Sequence, residues 1–143
     1  MYLFTINCIL DIVAMKVLMF GWELPPFNSG ELGVACYGLS RSLARQDVDI
    51  TFVLPTRQKV QADFMRVVFA DVDGFKWPDY TAYSTLPAGV KIDSLSPKHH
   101  NLLQAVLAYA QKAKAIAQKY PHDPVHAHDW LCYPAGVVAS GSS

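Results

Sequence analysis

The apolar run "KVLMFGW", residues 16–22, stops abruptly at "ELPP" and is followed by a segment with helical periodicity. No other feature constrains the fold as tightly. The run is short, and prolines end it, so it predicts a strand buried on both faces rather than a helix. Residues 30–46 then place Leu32, Ala35, Cys36, Leu39 and Leu43 on one helical side, with Ser40, Arg41, Arg45 and Gln46 on the other. Asn28 or Ser29 is the expected N-cap. "DITFVL", residues 49–54, is rich in β-branched and aromatic residues and is stopped by Pro55, so it predicts a second strand.

Further along, residues 67–70 predict a third strand, "VDG" a turn, "KWPDYTAYSTLPAG" an irregular aromatic loop and "VKID" a short strand. Ser96 at N-cap and Pro97 at N1 open a long helix. Its apolar stripe is Leu102, Leu103, Val106, Leu107, Ala110, Ala113 and Ala117, and Pro121 ends it. Residues 124–127 predict a short strand, and Asp129 caps a final helix over 131–139. The order is β-α-β, an irregular region, then α-β-α. It predicts an α/β, Rossmann-like parallel sheet with helices on both faces. In such sheets ligands sit beyond the carboxyl ends of the strands, at the switch point. Loops 21–33 and 128–134 leave strand ends of that kind and converge if the first and last strands are neighbours.

Composition narrows the class. With 143 residues, 52% apolar and 17% charged, the chain is long enough for one globular domain. A formal net charge of zero shows neither a nucleic-acid footprint nor a patch for an anionic membrane. Cys8, Cys36 and Cys132 lack metal-ligand spacing and read as reduced thiols of a cytoplasmic protein. Residues 1–14, "MYLFTINCILDIVA", show no basic n-region and no cleavage pattern, and their apolar runs are too short to span a membrane. They read as an upstream extension before Met15, or as an extra element packed on the edge of a domain that covers 15–143.

Two loops carry candidate chemistry. A helix N-terminus offers free amides and partial positive charge to phosphate oxygens, and glycines permit close approach. Gly30 and Gly33 meet that need, although G-x-x-G also fits a plain tight turn. The dinucleotide fingerprint G-x-G-x-x-G and the Walker pattern are both absent. In "VHAHDW", His126 and His128 share a side of the strand because side chains alternate. Two His followed directly by Asp close a zinc tetrahedron poorly, so no metal site is expected. His126 is expected to be structural, packed or hydrogen-bonded within the strand, Asp129 to cap the helix and His128 to face a cleft, donating to a sugar hydroxyl or a phosphate. Trp77, Tyr80 and Tyr83 suit either a sugar-stacking platform or a loop folded over a small core. His99, His100, Lys112, Lys114 and Lys119 read as solvated.

Together, "MKVLMFGWELPPFNSGELGVACYGLSRSLARQDVDITFVLP" and "VHAHDW" resemble the N-terminal lobe of retaining glycosyltransferases of the GT-B fold, in the branch of glycogen and starch synthases. Glu23, Pro25, Pro26, Phe27, Gly30, Leu32 and Gly33 match the family's acidic, Pro-rich and Gly-rich segment. His128, Asp129 and Trp130 match its His-Asp-Trp motif. The resemblance covers residues 15 to 139. It implies an acceptor-side lobe with Gly30 and Gly33 facing the donor diphosphate and His128 facing the donor sugar. It also implies transfer of glucose or another hexose from an ADP- or UDP-sugar to a glucan-type acceptor, with retained configuration and no cofactor or metal.

Three departures stand out. Glu31 replaces the family's second Gly, beside the diphosphate. At ~4 Å and an effective dielectric near 20, that repulsion is of order several kcal/mol, against at most ~1 kcal/mol gained from the helix dipole. Asn28 stands where starch synthases carry Lys. The family's C-terminal lobe, with its nucleotide pocket and paired acidic residues, has no counterpart, so the chain reads as a fragment without catalytic residues of its own, inactive alone. The alternative is a stand-alone Rossmann-like module that binds glucan or nucleotide without catalysis. A flavodoxin-like enzyme would need a flavin-phosphate loop, and none is recognisable.

Overall fold

A computed structural model describes residues 14–73, 84, 91 and 97–142, with the backbone alone for 97–100. The expectations for residues 1–13, for Trp77, Tyr80 and Tyr83, for a strand within 90–93 and for a cap at Ser96 lie outside the described residues.

The elements are β1 (Lys16–Phe20), α1 (Glu31–Ala44), β2 (Asp49–Leu54), β3 (Arg66–Phe69), α2 (Pro97–Lys119), β4 (Val125–Ala127) and α3 (Tyr133–Ser140). The four strands form one parallel sheet in the order β3-β2-β1-β4. Val17 to Phe20 in β1 and all of Ile50 to Leu54 in β2 are buried, as continuous apolar runs in a parallel sheet should be. The chain is an α/β, Rossmann-like unit of the kind that forms part of a GT-B N-terminal domain. No helix among the described residues is long and apolar enough to cross a membrane.

Period-two alternation divides the core into two layers. Val17, Met19, Ile50, Phe52 and Leu54 face α1, while Leu18, Phe20 and Val53 face α2 and α3. Against α1 the buried helix positions are Gly33, Cys36 and Ser40, whereas Ala35 and Leu39 are exposed. This corrects the expected stripe. Small side chains line the contact, and Ser40 satisfies its buried hydroxyl on the Cys36 carbonyl at 2.8 Å.

The apolar stripe of α2 is also turned slightly from expectation. Leu102, Ala105, Val106, Tyr109, Ala113 and Ile116 are buried, and Leu107 is half exposed. Tyr109, fully buried, donates its hydroxyl toward the Gly21 carbonyl at 3.0 Å and the Val53 carbonyl at 2.9 Å. Its ring meets Phe20 and Trp22 edge to face at 5.8 and 5.9 Å. Across the same layer, α3 lies close on β4: a Cβ at position 136 would be 2.9 Å from the Ala127 Cβ.

Candidate functional site

With β1 central and β4 on its far side, the chain reverses its winding direction between these two strands. This is the switch point, the place beyond the strand ends where ligands bind in sheets of this kind. Two loops border it: 21–30, leaving β1, and 128–132, leaving β4. The register pairs Phe20 with Ala127, and the His128 amide donates to the Phe20 carbonyl at 3.1 Å. The loop bearing Gly30 and the loop bearing His128 therefore leave the same end of the sheet, from adjacent strands.

The first loop folds on itself. Ser29 Oγ donates to Glu23 at 2.8 Å, and Asn28 Nδ2 donates to the Gly30 carbonyl at 2.7 Å. Neither residue caps α1, contrary to expectation. The N-cap is Gly30, in extended backbone, and no side chain caps the helix. The first amides of a helix carry partial positive charge, and a helix start of this kind can receive an anion. Gly33, at N3, is buried: a Cβ there would lie 2.6 Å from Asn28 Cβ and 3.4 Å from Glu23 Cγ. The missing side chain lets the loop lie against the helix. Glu31 is exposed at the helix start.

In the second loop Asp129 accepts from the Leu131 and Cys132 amides at 2.8 and 3.2 Å, as the cap reading requires, although regular helix begins only at Tyr133. Burial pushes the Asp129 carboxyl up, against these bonds and one from the Cys132 thiol, which pull it down. Burial foremost, with the negative Asp129 and Glu23 nearby, lifts Cys36 to about 12. Burial and Asp129 also raise Cys132 well above the ordinary range. Both thiols are inert. Trp130 Nε1 donates to the Ser84 carbonyl at 3.1 Å. Among the described residues no three His, Cys, Asp or Glu side chains assemble as a metal-holding group.

His128 stacks on Phe52 at 5.3 Å between ring centroids, and His126 tilts over it at 4.4 Å. His126 is exposed rather than packed, because β4 ends the sheet among the described residues and this face of it is open. Burial, then the neighbouring His126, lowers His128 to about 4, so its ring is neutral at physiological pH.

The sign of the resulting pH dependence is fixed. An unfolded imidazole protonates near 6.5, so between pH 6.5 and 4 the unfolded chain binds the extra proton and stability decreases as the pH is lowered. The contribution is complete above pH 6.5 and is lost on approach to pH 4. Allowing for partial solvation of the ring, it amounts to about 2 kcal/mol. His128→Phe, which keeps the stack on Phe52, should show a smaller drop than wild type in urea unfolding between pH 7 and 4.5. Equal drops would refute the assignment. Asp129, with its raised carboxyl, acts in the opposite sense but is common to both proteins.

Five buried side-chain atoms lack any hydrogen-bond partner among the described residues: Glu23 Oε1, Thr56 Oγ1, Gln58 Oε1, Gln58 Nε2 and His128 Nε2. All belong to loops that leave the carboxyl ends of β1, β2 and β4. Unmet buried polar groups cost about 1–3 kcal/mol each, so their gathering at one end of the sheet marks it for a polar ligand. Glu23 entered the sequence reading only as a motif match. Thr56 and Gln58 left no trace there, since a polar residue in a loop looks solvated.

Residues 16–142 match the family model of the starch synthase catalytic domain. The chain belongs to that family. It is a glycosyltransferase-family chain of the glycogen and starch synthase type, and the match spans every described strand and helix. No curated protein matches the chain.

Proposed function

We propose that this lobe presents a glucan-type acceptor to the sugar of an ADP- or UDP-glucose in a configuration-retaining transfer. The observation that carries the reading is the shared edge: the loop leading into α1 and the loop bearing His128 leave adjacent strands at the same end of the sheet. The amides around Gly30 receive the diphosphate. Gly33 acts by letting the loop lie close to the helix. Neutral His128 offers one ring nitrogen to a sugar hydroxyl, and its unmet Nε2 is the group that gains a partner. The nucleotide is held by a second lobe, and the donor phosphate assists departure without a metal.

Labelled ADP- or UDP-glucose with glycogen tests this. The 143-residue chain alone should incorporate no label. Adding the nucleotide-binding lobe of a starch synthase in trans should restore measurable transfer. Failure to restore it while the two lobes bind each other would count against the reading.

Glu31 modulates that site. Because it is exposed, solvent screening reduces its repulsion of a diphosphate to about 1 kcal/mol. Glu31→Gly in the assembled enzyme should therefore tighten nucleotide-sugar binding about fivefold. It should also lower stability by about 1 kcal/mol, through lost helix propensity and the lost dipole contact. Calorimetry showing equal or weaker binding would refute the repulsion.

A further inference from the structure

The end of β4 places two imidazoles on one face of the sheet. Val125 and Ala127 pack against the layer of α2 and α3, so His126 and His128, which alternate with them, point to the opposite side. Their ring centres are 4.4 Å apart, with 34° between the planes. We propose that this pair chelates a divalent transition metal, copper(II) foremost, and that the bound ion blocks His128. The chelation stands on the geometry of the pair; the blocking rests on the donor-sugar role proposed above.

Two nitrogens held at about 2.0–2.1 Å from one ion, at the right angle that copper(II) favours, are about 3 Å apart. Rings spaced as these are need only a small side-chain rotation to reach that separation. His128 is preorganised for it. Its ring lies on Phe52, 5.3 Å between centres and 23° between planes, and its amide is tied to the Phe20 carbonyl at 3.1 Å. Its Nε2 is buried with no hydrogen-bond partner among the described residues, so an ion breaks no bond there. His126 is exposed. It captures the ion from solvent, and His128 completes the chelate.

The donors select the metal. Imidazole nitrogen suits copper, nickel and zinc, whereas magnesium and calcium seek oxygen. Asp129 is engaged by the Leu131 and Cys132 amides at 2.8 and 3.2 Å, and Cys132 is fully buried, so neither is available as a ligand. Among the described residues no third protein ligand joins the pair, and water fills the other positions. Structural zinc sites need four protein ligands and are closed. A site with two adjacent nitrogens and open positions instead follows the general order of divalent affinities, with copper(II) at its top, and suits its tetragonal geometry.

The test is a titration of the ¹⁵N-labelled 143-residue chain with copper(II) sulfate, without any sugar. Electron paramagnetic resonance should show an ion bound by two nitrogens, and paramagnetic broadening should erase the amide signals of 125–129 first. His126→Ala, at an exposed position, should keep the fold and weaken copper binding about tenfold or more, because one of two linked ligands is lost. Zinc should bind the same residues more weakly, and magnesium should leave them unmoved. The proposal is overturned if His126→Ala binds copper like wild type, if broadening centres on 99–100 or on His122, or if magnesium moves the same amides. In the complemented two-lobe enzyme copper should inhibit transfer, and the His126→Ala enzyme should need about tenfold more copper for equal inhibition. Equal sensitivity of the two enzymes would rule out the blocking. Because the chelation is read without sugar, copper binding at 125–129 together with failed complementation ends the transfer reading and leaves the metal site standing.

Discussion

Tyr109→Ala is expected to lower the unfolding free energy by about 3–5 kcal/mol, the largest loss of any single substitution considered for this chain. The ring fills the layer between α2 and the sheet, against Phe20 and Trp22, and the surrounding strands leave little room to collapse into the space. The hydroxyl adds a separate part. Tyr109→Phe keeps the packing and removes the donor shared by the Gly21 and Val53 carbonyls. Val53 still accepts from the Gly21 amide at 3.0 Å, so only one carbonyl loses its described partner. That variant should cost about 1–2 kcal/mol. Urea unfolding at pH 7 measures both. A phenylalanine variant as stable as wild type would show that the hydroxyl bonds contribute nothing net.

The second large effect concerns turnover. In the complemented two-lobe enzyme, His128→Ala should lower kcat on the order of 10²- to 10³-fold, the usual consequence of removing one preorganised donor from a reacting centre. Glucan affinity should change little, which separates a donor-sugar role from an acceptor role. His128→Gln, still able to donate, should recover part of the rate. Because the ring of His128 is already neutral well above pH 4, its protonation should not shape the kcat profile between pH 6 and 8. An alanine variant with normal kcat and raised KM would instead make His128 a simple binding contact.

The strands were legible because β1 and β2 are buried on both faces, so their runs are almost wholly apolar, with only the β-branched Thr51 as a polar member. The helices were legible in extent and largely in orientation: Cys36 in α1 and Leu102, Val106, Ala110, Ala113 and Ala117 in α2 are buried as expected. In α1 the expected Ala35 and Leu39 are exposed, while Gly33 and Ser40 are buried beside the expected Cys36. Close approach to a sheet selects for small size, which a hydrophobic pattern does not report. In α2 a rotation of the stripe brought Tyr109 inside and left Leu107 half exposed. Asn28 and Ser29 look like caps in sequence, but Gly30 and Glu23 engage their side chains first. His126 was expected inside because a mid-strand residue usually is, and its position on the last strand of the described sheet overrides that. The motif residues Gly30, Gly33 and His128 could be read from the letters. Thr56 and Gln58 could not, because burial of a loop amide depends on what folds over it.

The division of the core into two layers has an evolutionary consequence. His128, Phe52, Cys36 and the residues beneath the Gly-rich loop belong to the α1 layer, whereas Tyr109 and the α2–α3 contacts belong to the other. Well-separated substitutions with no shared neighbours combine nearly additively. A lineage can therefore bank robustness on one side of the sheet and spend it on new specificity on the other. Gly21 is the seam: its carbonyl meets Tyr109, and a Cβ there would strike Phe52 at 2.4 Å.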